Sequence, residues 1–487
     1  MKQVITGTCV DVSSEGKGVT KNGKDVIFVD GLFPSEKADI EIQYHRAGAY
    51  FGKVKKLYNL SKERIQPKCK ICTSCGGCQY QQLNYQAQLK YKTKRVKEAL
   101  TRIAHIKQEV LPCIGTDNPY NYRNKIQVPF NKDKNGKVKF GFYKENSHII
   151  MPVKECAIED KRAAPILWDI KLLLEEMNIP CYNEDSGKGI LRYVLIRTSY
   201  HYDELMVVLV TTQMNFPGQR NFINELVNRH PEITTIVENV NSRHTNVILG
   251  NQEKVLYGPG FIKDDILDLT FEISASSFFQ VNPVQVEKLY KSALNLIDFK
   301  KKEVVLDAYS GVGTIGLIAA RNAKKVISVE INKSAHKNAI ENAKRNNVNN
   351  IEFYCADAGK FITEYDGDID ILIMDPPRSG SDETFLSTII EKKIKKIIYI
   401  SCNPETLARD IACLSSFYEA NYVQPVDMFP MTAHCEAVVS LILRNSGLNW
   451  NNFKKNQKNA DKPIISWYIS VARWFTCVKN YIQENCI

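Results

Sequence analysis

The chain lacks any run of about 18 or more uncharged apolar residues, and its start, Met1-Lys2-Gln3-Val4, carries no signal-peptide hydrophobic region. No membrane partner is expected, and the expected location is cytoplasmic. That location changes the meaning of the 14 cysteines. In a secreted protein they would suggest disulfides, whereas in a reducing compartment they point to metal or catalysis. Four of them, Cys69, Cys72, Cys75 and Cys78, fall within ten residues, without the loop of about 15 to 20 residues that separates the two knuckles of a zinc ribbon. A tetrahedral zinc site needs that loop to turn back. The repeated two-residue spacing instead approaches the ferredoxin-like run that wraps a cubane cluster, and spacing alone would ligate those four. Acidic residues are also in deficit: 54 stand against 65 lysines and arginines, a formal charge of +11, which suggests a polyanionic partner.

What is present gathers at the ends of apolar strands. Ile397-Ile398-Tyr399-Ile400-Ser401-Cys402-Asn403-Pro404 reads as a strand that runs straight into a cysteine held between a serine and an Asn-Pro turn. Ligands of open α/β sheets sit outside the carboxyl ends of strands, so a nucleophile at a strand tip is well placed. A buried structural thiol is the plain reading of a lone cysteine, but the neighbours argue otherwise. A second strand, Ile369 to Met374, ends in Asp375-Pro376-Pro377-Arg378. Upstream, Glu303 to Leu317 reads as a buried strand, a turn and a helix start, in which Gly311, Gly313 and Gly316 fit G-x-G-x-x-G. The strand Lys325 to Val329 ends in Glu330, where a carboxylate can accept ribose hydroxyls, and Ile351 to Cys355 leads to Asp357, placed to meet an adenine edge.

NAD would use the same glycine turn. The rigid Asp-Pro-Pro turn favours S-adenosylmethionine, because methyltransferases use it to hold a planar base against the sulfonium methyl. Arg378 stands where enzymes that methylate exocyclic amines carry Tyr or Phe, which disfavours amine methylation.

Taken in order, Phe279-Gln280-x-Asn282, Asp307-x-Tyr309-x-Gly311-x-Gly313-Thr314, Asp375-Pro376-Pro377-Arg378, Ser401-Cys402-Asn403-Pro404 and His434-x-Glu436 resemble the RNA uracil-5 methyltransferases, in the group that carries an iron-sulfur cluster. The resemblance covers residues 1 to about 444. It implies that Gln280, Tyr309, Glu330, Asp357 and Asp375 bind S-adenosylmethionine, with Gln280 and Asp375 at the junction of cofactor and base. C5 of uracil is a poor nucleophile, so a thiolate must first add to C6 and make C5 enolate-like; Cys402 is the implied nucleophile. Glu436 is the implied base that removes the C5 proton after methylation. Ser310 stands where many relatives carry Cys, a harmless change because the glycines make the turn.

The resemblance also revises the cysteine reading. Its C-x5-C-x2-C pattern with one distant cysteine maps onto Cys69, Cys75, Cys78 and Cys156 as ligands of a [4Fe-4S] cluster and leaves Cys72 as an extra thiol. The C-x3-C-x2-C spacing of radical enzymes is missing from this run, and methyl transfer needs no electron flow, so the cluster is expected to be structural.

The expected architecture is multidomain α/β. Residues 1–60 carry short alternating segments (Val4 to Val12, Asp25 to Val29, Ala38 to Tyr44, Tyr50 to Leu57) that read as a small antiparallel, OB-like barrel resembling a TRAM domain. Residues 61–270 are expected to hold the cluster and a central α+β RNA-binding domain, with Arg123 and Lys125 as RNA contacts. Residues 271–444 form the Rossmann-like methyltransferase domain. Residues 445–487 depart from the family, and Ile464 to Val478 within them reads first as a docking helix and second as a membrane-surface helix, because Arg473 interrupts its short apolar run. Lys53, Lys55, Lys56, Lys62 and Arg64, then Lys90, Lys92, Lys94, Arg95, Lys97, Arg102 and Lys107, flank the cysteine run and are read as phosphate contacts. The expected substrate is a uridine in 23S rRNA, with transfer RNA as the alternative and a monomeric enzyme as the acting species. The rival of another class is a non-catalytic iron-sulfur RNA-binding protein.

Overall fold

The computed structural model describes residues 3–445 except 134, 145–146 and 246. The expected helix over Ile464 to Val478 lies outside the described residues. Five strands, β1 (Val4–Val12), β2 (Gly18–Asn22), β3 (Asp25–Asp30), β4 (Lys37–Arg46) and β5 (Ala49–Leu57), close into a barrel in the order β1-β2-β3-β5-β4. Alternate residues point inward, and Cys9, Ile27, Val29, Ala38 and Ile40 fill the interior. The expectation of a wholly antiparallel barrel is corrected, because β3 and β5 pair in parallel. The chain passes through β4 first and returns beside β3 in the same direction. β2 escaped the sequence reading, since Gly-Val-Thr-Lys-Asn offers a single large apolar residue.

The central unit is a seven-stranded sheet of β6 (Lys125–Lys132), β7 (Val138–Tyr143), β8 (Ile150–Pro152), β9 (Leu191–Thr198), β10 (Leu205–Thr211), β11 (Thr235–Val240) and β12 (Gln252–Tyr257), in the order β12-β11-β10-β9-β6-β7-β8. Helices Ala163–Glu176 and Gln219–Arg229 cover one face. Leu195, Met206, Val208 and Val237 from the other face join a core that also holds the hairpin β13 (Phe261–Ile266) and β14 (Leu269–Ser274) and much of the following domain. The expected boundary at 270/271 therefore runs through a hairpin.

The last unit is a second seven-stranded sheet of β15 (Val304–Ala308), β16 (Lys325–Val329), β17 (Ile351–Tyr354), β18 (Ile371–Met374), β19 (Lys396–Ser401), β20 (Tyr418–Val426) and β21 (Glu436–Leu443). Its order is β17-β16-β15-β18-β19-β21-β20. The first five strands are parallel, and all but the edge strand β17 are buried on both faces, which is why Ile371 to Met374 is an unbroken apolar run. Connections reverse direction at β15, so a crevice opens between the tips of β15 and β18.

Helix Tyr85–Arg102 packs on this last unit through Val96, Ala99 and Leu100. Two of the cations expected to face RNA turn inward along the same stripe. Lys92 is fully buried in an ion pair with Asp427 and donates to the Phe429 carbonyl at 3.0 Å. Arg95 grips both carboxylate oxygens of Glu405 at 3.0 and 2.8 Å. Spacing alone could not separate them from Lys90 and Lys97, which remain exposed. Among the described residues no helix is long and apolar enough to cross a membrane.

Candidate active site

Strand register brings the expected residues to one edge. Ala308 pairs with Met374 and Met374 with Tyr399, so Tyr309, Asp375 and the Cys402 turn leave neighbouring tips. On the far side Ser401 lies opposite Ala437 in the antiparallel β19–β21 pair. Continuing that register by one residue sets Cys402 against Glu436. A cleft of about 430 Å³ opens beside them and is lined by Phe278, Gln280, Asp307, Tyr309, Gly311 and Asp375, among others.

The glycine turn folds as its sequence demands. Tyr309, Gly311 and Gly313 all take left-handed backbone, with φ of 63°, 58° and 82°. At Gly316 the requirement is space: an added Cβ would sit 2.6 Å from Asp307 Oδ2, which accepts the Gly316 N–H at 2.9 Å. Asp307 is buried, and burial lifts its carboxyl to about 8, so it braces the turn from behind.

Glu330 accepts from the Gly311 N–H at 2.8 Å and the Asn332 N–H at 2.7 Å, one bond to each oxygen. It fixes the turn, and each oxygen has a second lone pair that these two bonds do not use. Asp357 is exposed and caps helix Ala358–Glu364 by accepting from the Lys360 N–H at 3.0 Å. Glu330 and Asp357 lie outside the cleft lining, on the tips of β16 and β17. Gln280 is buried, and its carbonyl accepts from Asn124 Nδ2 at 3.2 Å, which ties the cleft to the start of β6.

Burial first, and neighbouring charge second at Glu436 and Cys402, push the two carboxylates and the thiol above their ordinary values. Burial raises Asp375 to about 7. Glu436, only 4% exposed, is pushed well above the usual carboxylate range by burial first and then by the Asp375 charge. Cys402 rises to about 12, through burial, then the charges of Glu436 and Asp375, against the smaller opposing pull of a bonded Arg378. The resting thiol therefore keeps its proton. Asn403 caps helix Pro404–Leu414 by accepting from the Glu405 N–H at 3.1 Å, and its Nδ2 donates to the Arg378 carbonyl at 3.1 Å, so the two tip loops are stitched together.

Sequence reasoning missed the clamp that holds this edge. Besides gripping Glu405 in the first turn after Cys402, Arg95 donates to the Ala433 carbonyl at 2.9 Å, just ahead of Glu436. Gln88 accepts from the Met431 N–H at 3.0 Å, and Gln79 from the Ala433 N–H at 3.2 Å. Gln88, Lys92 and Arg95 share one helix face with buried Val96 and Ala99, but their spacing alone did not set that face apart from the exposed cations around it.

The cysteine run lies immediately before this clamp. Cys72–Cys75 is a single helical turn that ends at left-handed Gly76, and Gln81 Oε1 accepts from the Cys69 N–H at 2.7 Å. Burial, then the charges of Cys75, Cys69 and Cys72, net of a Gln81 hydrogen bond, raise Cys78 to about 12; burial first, with Cys78 among the lesser causes, also raises Cys156. Among the described residues no three His, Cys, Asp or Glu side chains converge so as to hold a metal ion. As arranged, the thiols share surroundings but do not form a cluster cage.

The family model described as tRNA (Uracil-5-)-methyltransferase matches residues 253–444. A protein named as an uncharacterized RNA methyltransferase in Staphylococcus aureus (strain MRSA252) is 39% identical over 445 residues, covering 91% of this chain and 98% of its own. A similarly named protein of Oceanobacillus iheyensis is 40% identical over 450 residues, with 91% and 97% covered. Among solved structures, the Pyrococcus abyssi tRNA (uracil-54, C5)-methyltransferase in complex with S-adenosyl-L-homocysteine superposes with a TM-score of 0.74 at 29% identity, over 90% of this chain and 100% of that one.

Proposed function

We propose, for a chain that belongs to the RNA uracil-5 methyltransferase family, that it methylates C5 of a uridine in 23S rRNA through a covalent bond from Cys402 to C6 of the base. The observation that carries this reading is the closeness of Cys402, one residue past the Ser401–Ala437 pair, to Glu436 and Asp375, whose charges both raise the thiol, beside the cleft. In the proposed sequence the Cys402 thiol gives its proton to solvent and the resulting thiolate adds to C6. The electron pair moves through C5 to the O4 carbonyl, and C5 then takes the methyl of S-adenosylmethionine, releasing S-adenosylhomocysteine. Glu436 in its ionised form removes the C5 proton, and the returning electron pair expels the thiolate. Gln280, Tyr309, Glu330, Asp357 and Asp375 hold the methyl donor, and Asp375 also meets the uracil edge. C6 of a stacked base is out of reach, so the target uridine lies in a loop or is flipped out.

The barrel is read as a TRAM-like RNA-binding module, with Lys53 and Lys55 on β5 as phosphate contacts. Transfer RNA is the second reading, favoured by the likeness to the Pyrococcus abyssi enzyme. The test measures tritium released from 5-tritiated uridine in ribosomal and transfer RNA transcripts with S-adenosylmethionine. Release from ribosomal transcripts is expected, and release from transfer RNA alone replaces the ribosomal assignment.

The cysteine set is proposed to hold a [4Fe-4S] cluster through Cys69, Cys75, Cys78 and Cys156, with Cys72 left out. What supports this is the shared half-buried setting of Cys78 with its neighbours. The side chains would have to close in around the iron. Replacing Cys156 by Ser is expected to remove iron and acid-labile sulfide from anaerobically purified protein, whereas Cys72→Ser keeps both. The opposite result would make Cys72 the ligand.

A further inference from the structure

A cleft of about 360 Å³ in the central domain has no part in the chemistry above. Tyr143, His148 and Tyr182 give it aromatic walls, and Asn131, Glu184 and Arg192 bring polar groups to it. The rings of Tyr143 and His148 meet edge to face with centroids 5.8 Å apart. Among the described residues Glu184 accepts only long hydrogen bonds, from Tyr143 Oη at 3.3 Å and Tyr193 Oη at 3.5 Å. Such lengths leave a carboxylate short of donors. Arg192 is buried at 4% exposure, lies over the Tyr182 ring at 4.6 Å, and gives one terminal nitrogen to the carbonyls of Asn241 and Arg243 at 2.8 Å each. Its Nε is buried without a hydrogen-bond partner. An unsatisfied buried donor is costly, and this one, closed off behind the cleft wall, gains a partner only if the guanidinium turns to meet an acceptor there.

A ligand that suits this cleft is flat, offers a donor to Glu184 and presents an acceptor to Arg192. We propose that the cleft binds an unpaired nucleobase bearing an exocyclic amino group (adenine, cytosine or guanine) from a nucleotide of the RNA other than the target uridine. The amino group reaches Glu184, the neighbouring ring acceptor or carbonyl reaches Arg192, and the ring stacks on the aromatic wall. A phosphate is disfavoured by Glu184 and by Asp185 beside it. Uracil is disfavoured too, because its single N3–H is flanked by two carbonyl oxygens that would face the carboxylate.

The fold connects this cleft to the active edge. Strand β6 begins beside Asn124, which bonds the Gln280 carbonyl, and ends at Pro129 to Asn131 on the cleft wall. At about 3.3 Å per residue the two sites lie about 20 Å apart. Lys125, Gln127 and Asn131 fall on one face of the strand between them, on either side of a buried Pro129, and bring three partly exposed polar side chains to the path between the two sites. The inference deepens the RNA-methyltransferase reading, since it supplies a second reading point on the same substrate.

The test uses the full chain, saturated with S-adenosylhomocysteine to block the cofactor cleft, and reads saturation-transfer NMR signals from AMP, CMP, GMP and UMP. Tyr143 and Glu184 are only partly buried, so Glu184→Ala and Tyr143→Leu are compared with the parent, and retained S-adenosylhomocysteine binding verifies folding. For at least one amino-bearing nucleotide, a signal at least about fivefold weaker in both variants is expected, with UMP unchanged. Amino-nucleotide signals equal in all three proteins, or a UMP signal that falls as much, would overturn the proposal. A parent chain that binds no S-adenosylhomocysteine would sink the methyltransferase reading instead, while the nucleotide comparison still decides the cleft.

Discussion

Replacing Cys402 by alanine is expected to lower methyl transfer to RNA by at least about 10³-fold, while S-adenosylmethionine affinity stays within about twofold. The second half of that expectation follows from the cleft, whose lining includes Gln280, Tyr309 and Asp375 but not Cys402. The first half follows from the base, whose C5 attacks a methyl group only after C6 has gained an electron pair. Wild-type protein mixed with RNA carrying 5-fluorouridine and S-adenosylmethionine should give a protein–RNA band that survives denaturing electrophoresis, because fluorine at C5 cannot leave as a proton. The alanine variant should give none. If Cys402 were only a packing residue, the variant would lose thermal stability and keep its turnover, so melting temperature and rate together decide between the two.

The same thiol sets an expected pH profile. With Cys402 raised to about 12, its reactive thiolate fraction grows about tenfold per unit of pH anywhere below that value. The raised Glu436 works in the same direction, because only the ionised carboxylate can take the C5 proton. Both effects predict that kcat/KM climbs as pH rises from 6 to 9. A flat profile, measured where the protein stays folded, would mean that bound RNA supplies a group that removes the thiol proton.

Much of this edge was legible because the chemistry-bearing residues sit at strand tips, and strand tips are marked in sequence by the change from an apolar run to a polar turn. Met374 to Asp375 and Ile400 to Ser401 are such changes, and β18 and β19 end at or within one residue of them. The parallel pair β3–β5 was not legible, since period-two alternation gives the face of a strand and says nothing of its direction. Arg95 and Lys92 were illegible for a different reason. Their sequence context is a run of exposed cations, and only the docking of helix Tyr85–Arg102 beside Asp427 and Glu405 separates the inward pair from the rest. The cysteine run was legible as a motif but not as a geometry, because x2 spacing permits several sets of four ligands.

Glu436→Gln is expected to stall the enzyme after methylation rather than before it. Glutamine keeps the shape that fills this buried position but cannot accept the C5 proton, so the methylated adduct has no route to eliminate Cys402. Multiple turnover should fall by about 10² to 10⁴-fold, while one methyl group per active site is still transferred to RNA that remains bonded to protein. Unmodified RNA and labelled S-adenosylmethionine should therefore yield a denaturation-resistant band that carries label, with tritium release from C5 suppressed in parallel. A solvated strand-end carboxylate with no role would produce no such band. The substitution carries a second consequence in the free protein. After burial, the Glu436 charge is the next cause that holds the Cys402 thiol up, so removing that charge should let the thiol ionise at lower pH and react faster with iodoacetamide at pH 8. Slower elimination together with faster alkylation is a pairing that a general loss of folding cannot produce, since unfolding would expose every cysteine and end methyl transfer at once.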